Sequence, residues 1–111
     1  MRIWHEQLIP HLCQKHLCAM WREGLGAYKI ITENKKGYRN HPAVKEFISA
    51  PSQLGKRLLL VRNEMLRRGY NPKLLPITLY TIPILKEQYK EWQTLDEQIE
   101  VLKLKKCNCN I

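Results

Sequence analysis

Apolar side chains recur at helical spacing in three stretches of this chain, and prolines and glycines punctuate the boundaries. In the first stretch Leu17, Met20, Leu25 and Tyr28 build one helical face, and Leu12, His16, Ala19, Glu23 and Gly26 another. The pattern predicts a helix from near Pro10, a good first-turn residue, to about Ile31. Gly24 and Gly26 would each cost about 1 kcal/mol relative to Ala in that helix. Their position directly after Glu23 suggests close approach of another backbone or a ligand, and a helix break would explain them as well. Asn34 to Asn40 (NKKGYRN) reads as a polar loop with three basic side chains.

His41-Pro42 opens a short helical segment, PAVKEFI. Ala50-Pro51-Ser52 marks the next start, and residues 52–68 carry Leu54, Leu58, Val61, Met65 and Leu66 as a core stripe. Gly69 follows Arg67 and Arg68 as a left-handed cap. Asn71 to Pro83 contains three prolines and predicts an extended crossing segment. From Ile84, the residues Leu85, Tyr89, Trp92, Leu95, Ile99 and Leu102 recur at spacings of 4, 3, 3, 4 and 3, with Leu85, Trp92 and Ile99 as heptad steps. That stripe predicts one amphipathic helix. The fold expected is all-α: a single compact domain over residues 1–111, with three main helices, a short extra helix and an N-terminal arm.

Composition adds boundaries to this picture. At 111 residues and 44% apolar, the chain suits one folded domain without room for a cofactor domain. No run of eighteen apolar residues exists, so no membrane span is expected. His5 and Glu6 interrupt the apolar core that a signal peptide needs, which predicts a cytoplasmic protein. The net charge of +9 lies wholly within residues 1–75, which hold 14 Lys/Arg against 5 Asp/Glu, whereas residues 76–111 hold 5 of each. A basic side on a neutral support is the arrangement of a nucleic-acid-facing protein, and a basic surface serving only solubility shares it. Cys13 and Cys18 are five apart on a helix and point in different directions, and Cys107-Asn108-Cys109 lies on a tail expected to fray. With no paired C-x-x-C knuckles, the cysteines read as reduced thiols, with no metal and no cofactor.

The chemistry is concentrated in residues 1–23, MRIWHEQLIPHLCQKHLCAMWRE, which carry an α-amine at one end and Glu23 at the other. An amine can attack a sugar carbon, and a carboxylate can stabilise the resulting cation or move a proton. A metal-free DNA glycosylase with lyase activity needs those two groups. Arg2 is too large for the usual methionine aminopeptidase, so Met1 is expected to remain and supply the amine. An α-amine titrates at roughly 7.7 to 8.0 against roughly 10.4 for lysine, and a neighbouring Arg2 should lower it further. A useful neutral, nucleophilic fraction follows near neutral pH. Glu23 taken alone reads as a solvated surface residue; Trp21, Arg22 and the glycines beside it raise its interest. His5, His11 and His16 invite an acid–base reading, but an isolated histidine is more often a hydrogen-bonded structural residue.

These residues carry a family resemblance. The stretch LxxxHLxAxWRE, from Leu12 to Glu23, resembles the first-helix signature of the endonuclease V-type pyrimidine-dimer DNA glycosylases, small all-α repair enzymes with abasic-site lyase activity. Met1-Arg2-Ile3 resembles their N-terminal arm, His41 to Asn71 (ending EMLRRGYN) their second helix and glycine cap, and Ile82 to Ile99 their third helix. The resemblance implies Met1 as nucleophile and Glu23 as catalytic carboxylate, acting on double-stranded DNA with damaged pyrimidines or abasic sites. A monomer is expected, nucleoid-associated when on DNA. The DNA-contacting set is then Arg2, Arg22, His16, Lys35, Lys36 and Arg39, with Lys56, Arg57 and Arg62 on the second helix. The chain departs from the family pattern at Gly26, Thr94 and Gln98, where the pattern has basic residues, and in its tail, KLKKCNCNI. Two other readings stand beside this one: a non-catalytic DNA-binding relative, and a helical protein-interaction domain with the last helix as its seam.

Overall fold

A 3₁₀ helix, Glu6–His11, precedes the first α-helix, so Pro10 does not open that helix but lies inside the shorter turn. The computed structural model describes residues 2–33, 36–37, 40–48, 50–72, 92–105, 107 and 109–110. Leu12 and Cys13 are extended, with ψ of 140° and 167°, and this corner separates the 3₁₀ helix from α1, Gln14–Thr32. Three more helices follow among the described residues: α2, Pro42–Ile48; α3, Pro51–Arg67; and α4, Leu95–Leu104. The protein is all-α, as its periodicity predicts, with no strand among the described residues. No helix of those residues is long and apolar enough to cross a membrane.

The core lies between α1 and α3. Leu17, Met20, Trp21, Gly24, Ala27 and Tyr28 face it from α1, at spacings of three and four that keep them on one side. Leu54, Leu58, Val61 and Met65 answer from α3, whereas Leu66, expected in that stripe, is 46% exposed. Phe47 and Val44 of α2 and Leu102 of α4 close the ends. Fully burying each such side chain contributes roughly 1.5–3 kcal/mol.

The two glycines after Glu23 have different reasons. A Cβ at Gly24 would stand 2.5 Å from Cδ2 of the buried Leu58, so the close approach is to a side chain of α3. A Cβ at Gly26 would meet no described atom within 4 Å. Gly26→Ala should therefore raise stability by about 0.5–1 kcal/mol through helix propensity alone. Gly24→Val should lower it, because overpacking a core costs about 1–3 kcal/mol. Thermal unfolding of the two variants would show opposite shifts in Tm; a loss at both would mean that Gly26 is also packed.

α3 ends as the sequence predicts. Gly69 has φ of 82°, its N–H donates to the Leu66 carbonyl at 3.0 Å, and that of Tyr70 to the Met65 carbonyl at 2.8 Å. In the last turn Arg67 and Arg68 both donate to the Glu64 carboxylate, and these bonds, Arg67's foremost, hold its pKa below the ordinary carboxylate value. Arg68 also reaches the carbonyls of Ile9 and Pro10, at 3.4 and 3.1 Å, tying α3 to the 3₁₀ helix.

The single helix expected from Ile84 onward is not what the described part shows. Trp92 and Gln93 are non-helical, and α4 starts only after Thr94, whose side chain accepts from Glu97 N–H at 3.2 Å while the Glu97 carboxylate accepts from Thr94 N–H at 3.3 Å. This capping box fixes the start irrespective of the apolar stripe, and Trp92 is thereby freed from its heptad position. Leu85, Tyr89 and most of the extended crossing segment lie outside the described residues.

Candidate active site

Glu23 sits half-buried at the middle of α1, and its Oε2 accepts the backbone N–H of Arg2 at 2.6 Å. From Arg2 onward the arm that leads there is anchored. Ile3 and Trp4 are buried, and His5 N–H donates to Oε1 of Gln98 at 2.6 Å. Gln98 is itself buried on α4, with its Nε2 bonded to the Gln93 carbonyl at 3.0 Å. A buried amide is a good holder here, since it both accepts from one backbone segment and donates to another.

Beside Glu23, the Arg2 guanidinium lies between two indoles, 4.8 Å from the Trp4 ring centroid and 4.7 Å from that of Trp92, and Nη1 donates to Oε1 of Gln93. Burial lowers the Arg2 pKa, but arginine starts so high that it stays charged. Trp92 is 42% exposed and meets the His41 ring edge-on at 5.9 Å. Its backbone N–H donates to Oε1 of Glu46 at 2.8 Å.

Beneath this lies a buried ion pair. Arg57 and Glu46 have side chains 3% and 5% exposed, with Nη1 and Oε2 3.6 Å apart. Arg57 Nη1 also donates to the Trp4 carbonyl at 3.4 Å, and its guanidinium rests 5.2 Å from the Phe47 ring. The pair thus joins the arm, through Trp4, to the segment carrying Trp92. Its placement corrects the reading of Arg57 as a DNA contact: the side chain is in the core.

The other residues singled out by sequence divide clearly. Arg22 is exposed next to Glu23 and borders a groove lined by Cys18, Trp21, Leu25, Met65, Asn71 and Pro72. Lys36 and Lys56 are exposed, with Lys56 3.9 Å from the Glu6 carboxylate, and Arg62 is partly buried. His16 lies two turns before Glu23, where its Nδ1 faces the thiols of Cys13 and Cys109 and its ring is 6.1 Å from that of Trp4. Burial, then Lys105 and Lys15, lower its pKa. Met1, Lys35 and Arg39 lie outside the described residues. Thr94 and Gln98, which stand where basic residues were expected, cap α4 and hold the arm.

Residues 1–77 match the family model described as pyrimidine dimer DNA glycosylase. The chain belongs to the pyrimidine dimer DNA glycosylase family. No curated protein and no solved structure gives a significant match. The matched stretch carries Arg2, Arg22, Glu23, Glu46 and Arg57, and membership implies damaged DNA as the binding partner. Trp92, Gln93, Gln98 and the cysteines of the tail lie beyond it.

Proposed function

We propose that this protein is a DNA glycosylase with abasic-site lyase activity on damaged pyrimidines, with the Met1 α-amine as nucleophile and Glu23 as catalytic carboxylate. The observation that supports this is the 2.6 Å hydrogen bond from Arg2 N–H to Glu23. Three covalent bonds separate that nitrogen from the Met1 α-nitrogen, so the peptide geometry keeps the two within about 4 Å of one another. That hydrogen bond, made by the residue next to Met1, supports pairing the α-amine with Glu23 in the reaction.

In the proposed reaction the neutral amine forms a bond to C1′ of the damaged nucleotide, and the C1′–N bond to the base breaks, its electron pair leaving with the base, which takes up a proton. The bound amine gives up a proton, and the C1′–O4′ bond then opens with its electron pair going to O4′, which takes up a proton, leaving a protonated imine between the amine and the sugar. Glu23 stabilises the positive charge as it develops and accepts a proton from C2′. Loss of that proton drives cleavage of the C3′–O bond, which nicks the strand. Positioned acid–base assistance of this kind contributes roughly 10²- to 10⁴-fold. The exposed Arg22, Lys36 and Lys56 would meet phosphates, and the half-exposed Trp92 offers an aromatic face to an unstacked base.

End-labelled duplexes carrying one cyclobutane pyrimidine dimer or one abasic site test the reading. The expected result is cleavage at the lesion with a β-elimination end, and binding that weakens steeply as salt rises. Salt-dependent binding of both duplexes with neither cut would refute the enzymatic reading.

A further inference from the structure

Four side chains able to ligate a metal converge from the two ends of the chain, where the 3₁₀ helix gives way to α1. Cys13 is the N-cap residue of α1, and His16 is one turn further along. Cys107 and Cys109 lie on the tail after α4, which the sequence led us to expect frayed. The tail is instead docked: Cys109 Sγ accepts Cys13 N–H at 3.1 Å, and Asn110 N–H donates to the His11 carbonyl at 2.9 Å. His16 Nδ1 stands 3.5 Å from Cys13 Sγ and 3.1 Å from Cys109 Sγ. The potential ligand atoms of all four residues lie within 4.8 Å of one another. Each residue is half-buried, and the thiols are not joined in disulfides.

From this convergence we propose that Cys13, His16, Cys107 and Cys109 form a structural zinc site. Zinc binds thiolates at about 2.3 Å and imidazole at about 2.0–2.1 Å, so tetrahedral ligand atoms stand about 3.5–3.8 Å apart. The observed spread reaches that arrangement with small side-chain adjustments. Thiolate and imidazole ligands favour zinc over magnesium or calcium, which take oxygen. Four protein ligands leave no open position, which makes the site structural rather than catalytic. Binding converts three thiols to thiolates and releases their protons to solvent, while His16 donates a lone pair from its neutral ring. The complex carries one net negative charge, and Lys15 and Lys105, close enough to act electrostatically on His16, offset it. The Cys13 N–H on the Cys109 sulfur is the kind of surrounding hydrogen bond that steadies a metal-bound thiolate.

The site would join residues 93 positions apart, such as His16 and Cys109, and so fasten the tail to the start of α1. Trp4, against which His16 packs, belongs to the arm that carries Arg2 to Glu23. The clip therefore also backs the candidate active site, although the metal proposal does not depend on any catalytic reading.

The untagged full chain, purified under reducing conditions, provides the test through elemental analysis and titration with Co²⁺. We expect close to one zinc per chain and, with Co²⁺, the intense visible absorption of a tetrahedral thiolate-rich site. Cys109→Ser should lose both signals, whereas Cys18→Ser, which changes a cysteine outside the cluster, should keep both. If Cys109→Ser does not fold, Cys107→Ser gives the same comparison, and the zinc content of the unaltered chain needs no variant. Chelation should lower Tm by roughly 5–10 °C. Folded, fully reduced protein with neither zinc nor a Co²⁺ spectrum would overturn the proposal, as would loss of both signals on Cys18→Ser.

Discussion

Glu23→Gln should slow strand cleavage at an abasic site by about 10²- to 10⁴-fold while leaving DNA affinity and Tm nearly unchanged. Glutamine keeps the size of the side chain and an oxygen to accept Arg2 N–H, the 2.6 Å bond that holds the arm. What it removes is the negative charge that would stabilise the sugar cation and the base that would take the C2′ proton. Single-turnover kinetics on an intact duplex with a pre-formed abasic site isolate the elimination step from base release. Glu23→Ala serves as the contrast, since it also removes the acceptor and should loosen the arm as well as abolish cleavage. A Glu23→Gln variant that cut at the unaltered rate would remove Glu23 from the chemistry and leave it an anchor for the arm.

The second large effect concerns stability. Removing Glu46 by Glu46→Ala should cost about 3–5 kcal/mol, because it takes away the carboxylate facing a buried guanidinium. For a chain of this size that lowers Tm by more than about 10 °C. Arg57 is 3% exposed and cannot turn to solvent without opening the core around Phe47. The apolar pair Glu46→Leu with Arg57→Met should recover part of the loss, as replacing both members of a buried pair commonly does. Recovery should be incomplete, since Trp92 N–H and the Trp4 carbonyl each lose a partner. Urea unfolding of the three variants gives the comparison. A loss below 1 kcal/mol for Glu46→Ala would mean that the pair is no more than a surface ion pair in its effect.

Much of the fold was legible because short-range signals and apolar spacing agree. Pro42 to Ile48, α3 with its Gly69 cap, and the buried face of α1 all follow from periods of three and four closed by residues with special backbone geometry. The start of α4 departs from the apolar stripe because Thr94-x-x-Glu97 is a local capping signal that outweighs periodicity. Pro10 does not mark the start of α1 because its fixed φ suits a 3₁₀ turn as well as a first helical turn.

The site divides along the same line. Glu23 and Arg22 stand out in sequence because charge, aromatic and glycine neighbours sit side by side. Arg57 does not: a basic residue on a helix reads as solvent-facing unless its partner is known, and Glu46 is on another helix. Gln98, Gln93 and Trp92 reach the arm from 90 or so positions away, and no local pattern links them to it. The cysteine cluster is hidden for a related reason: neither cysteine pair has ligand spacing by itself, and only the fold joins C-x-x-H near the start of the sequence to C-x-C near its end.

Borohydride trapping on duplex DNA with one abasic site tests the central claim most directly, because only an imine is reduced to a stable adduct. The expected result is a covalent protein–DNA complex whose modified peptide begins at Met1, and no complex after the α-amine is selectively acetylated. An adduct mapped to a lysine, or none at all from folded protein that binds the duplex, would contradict it.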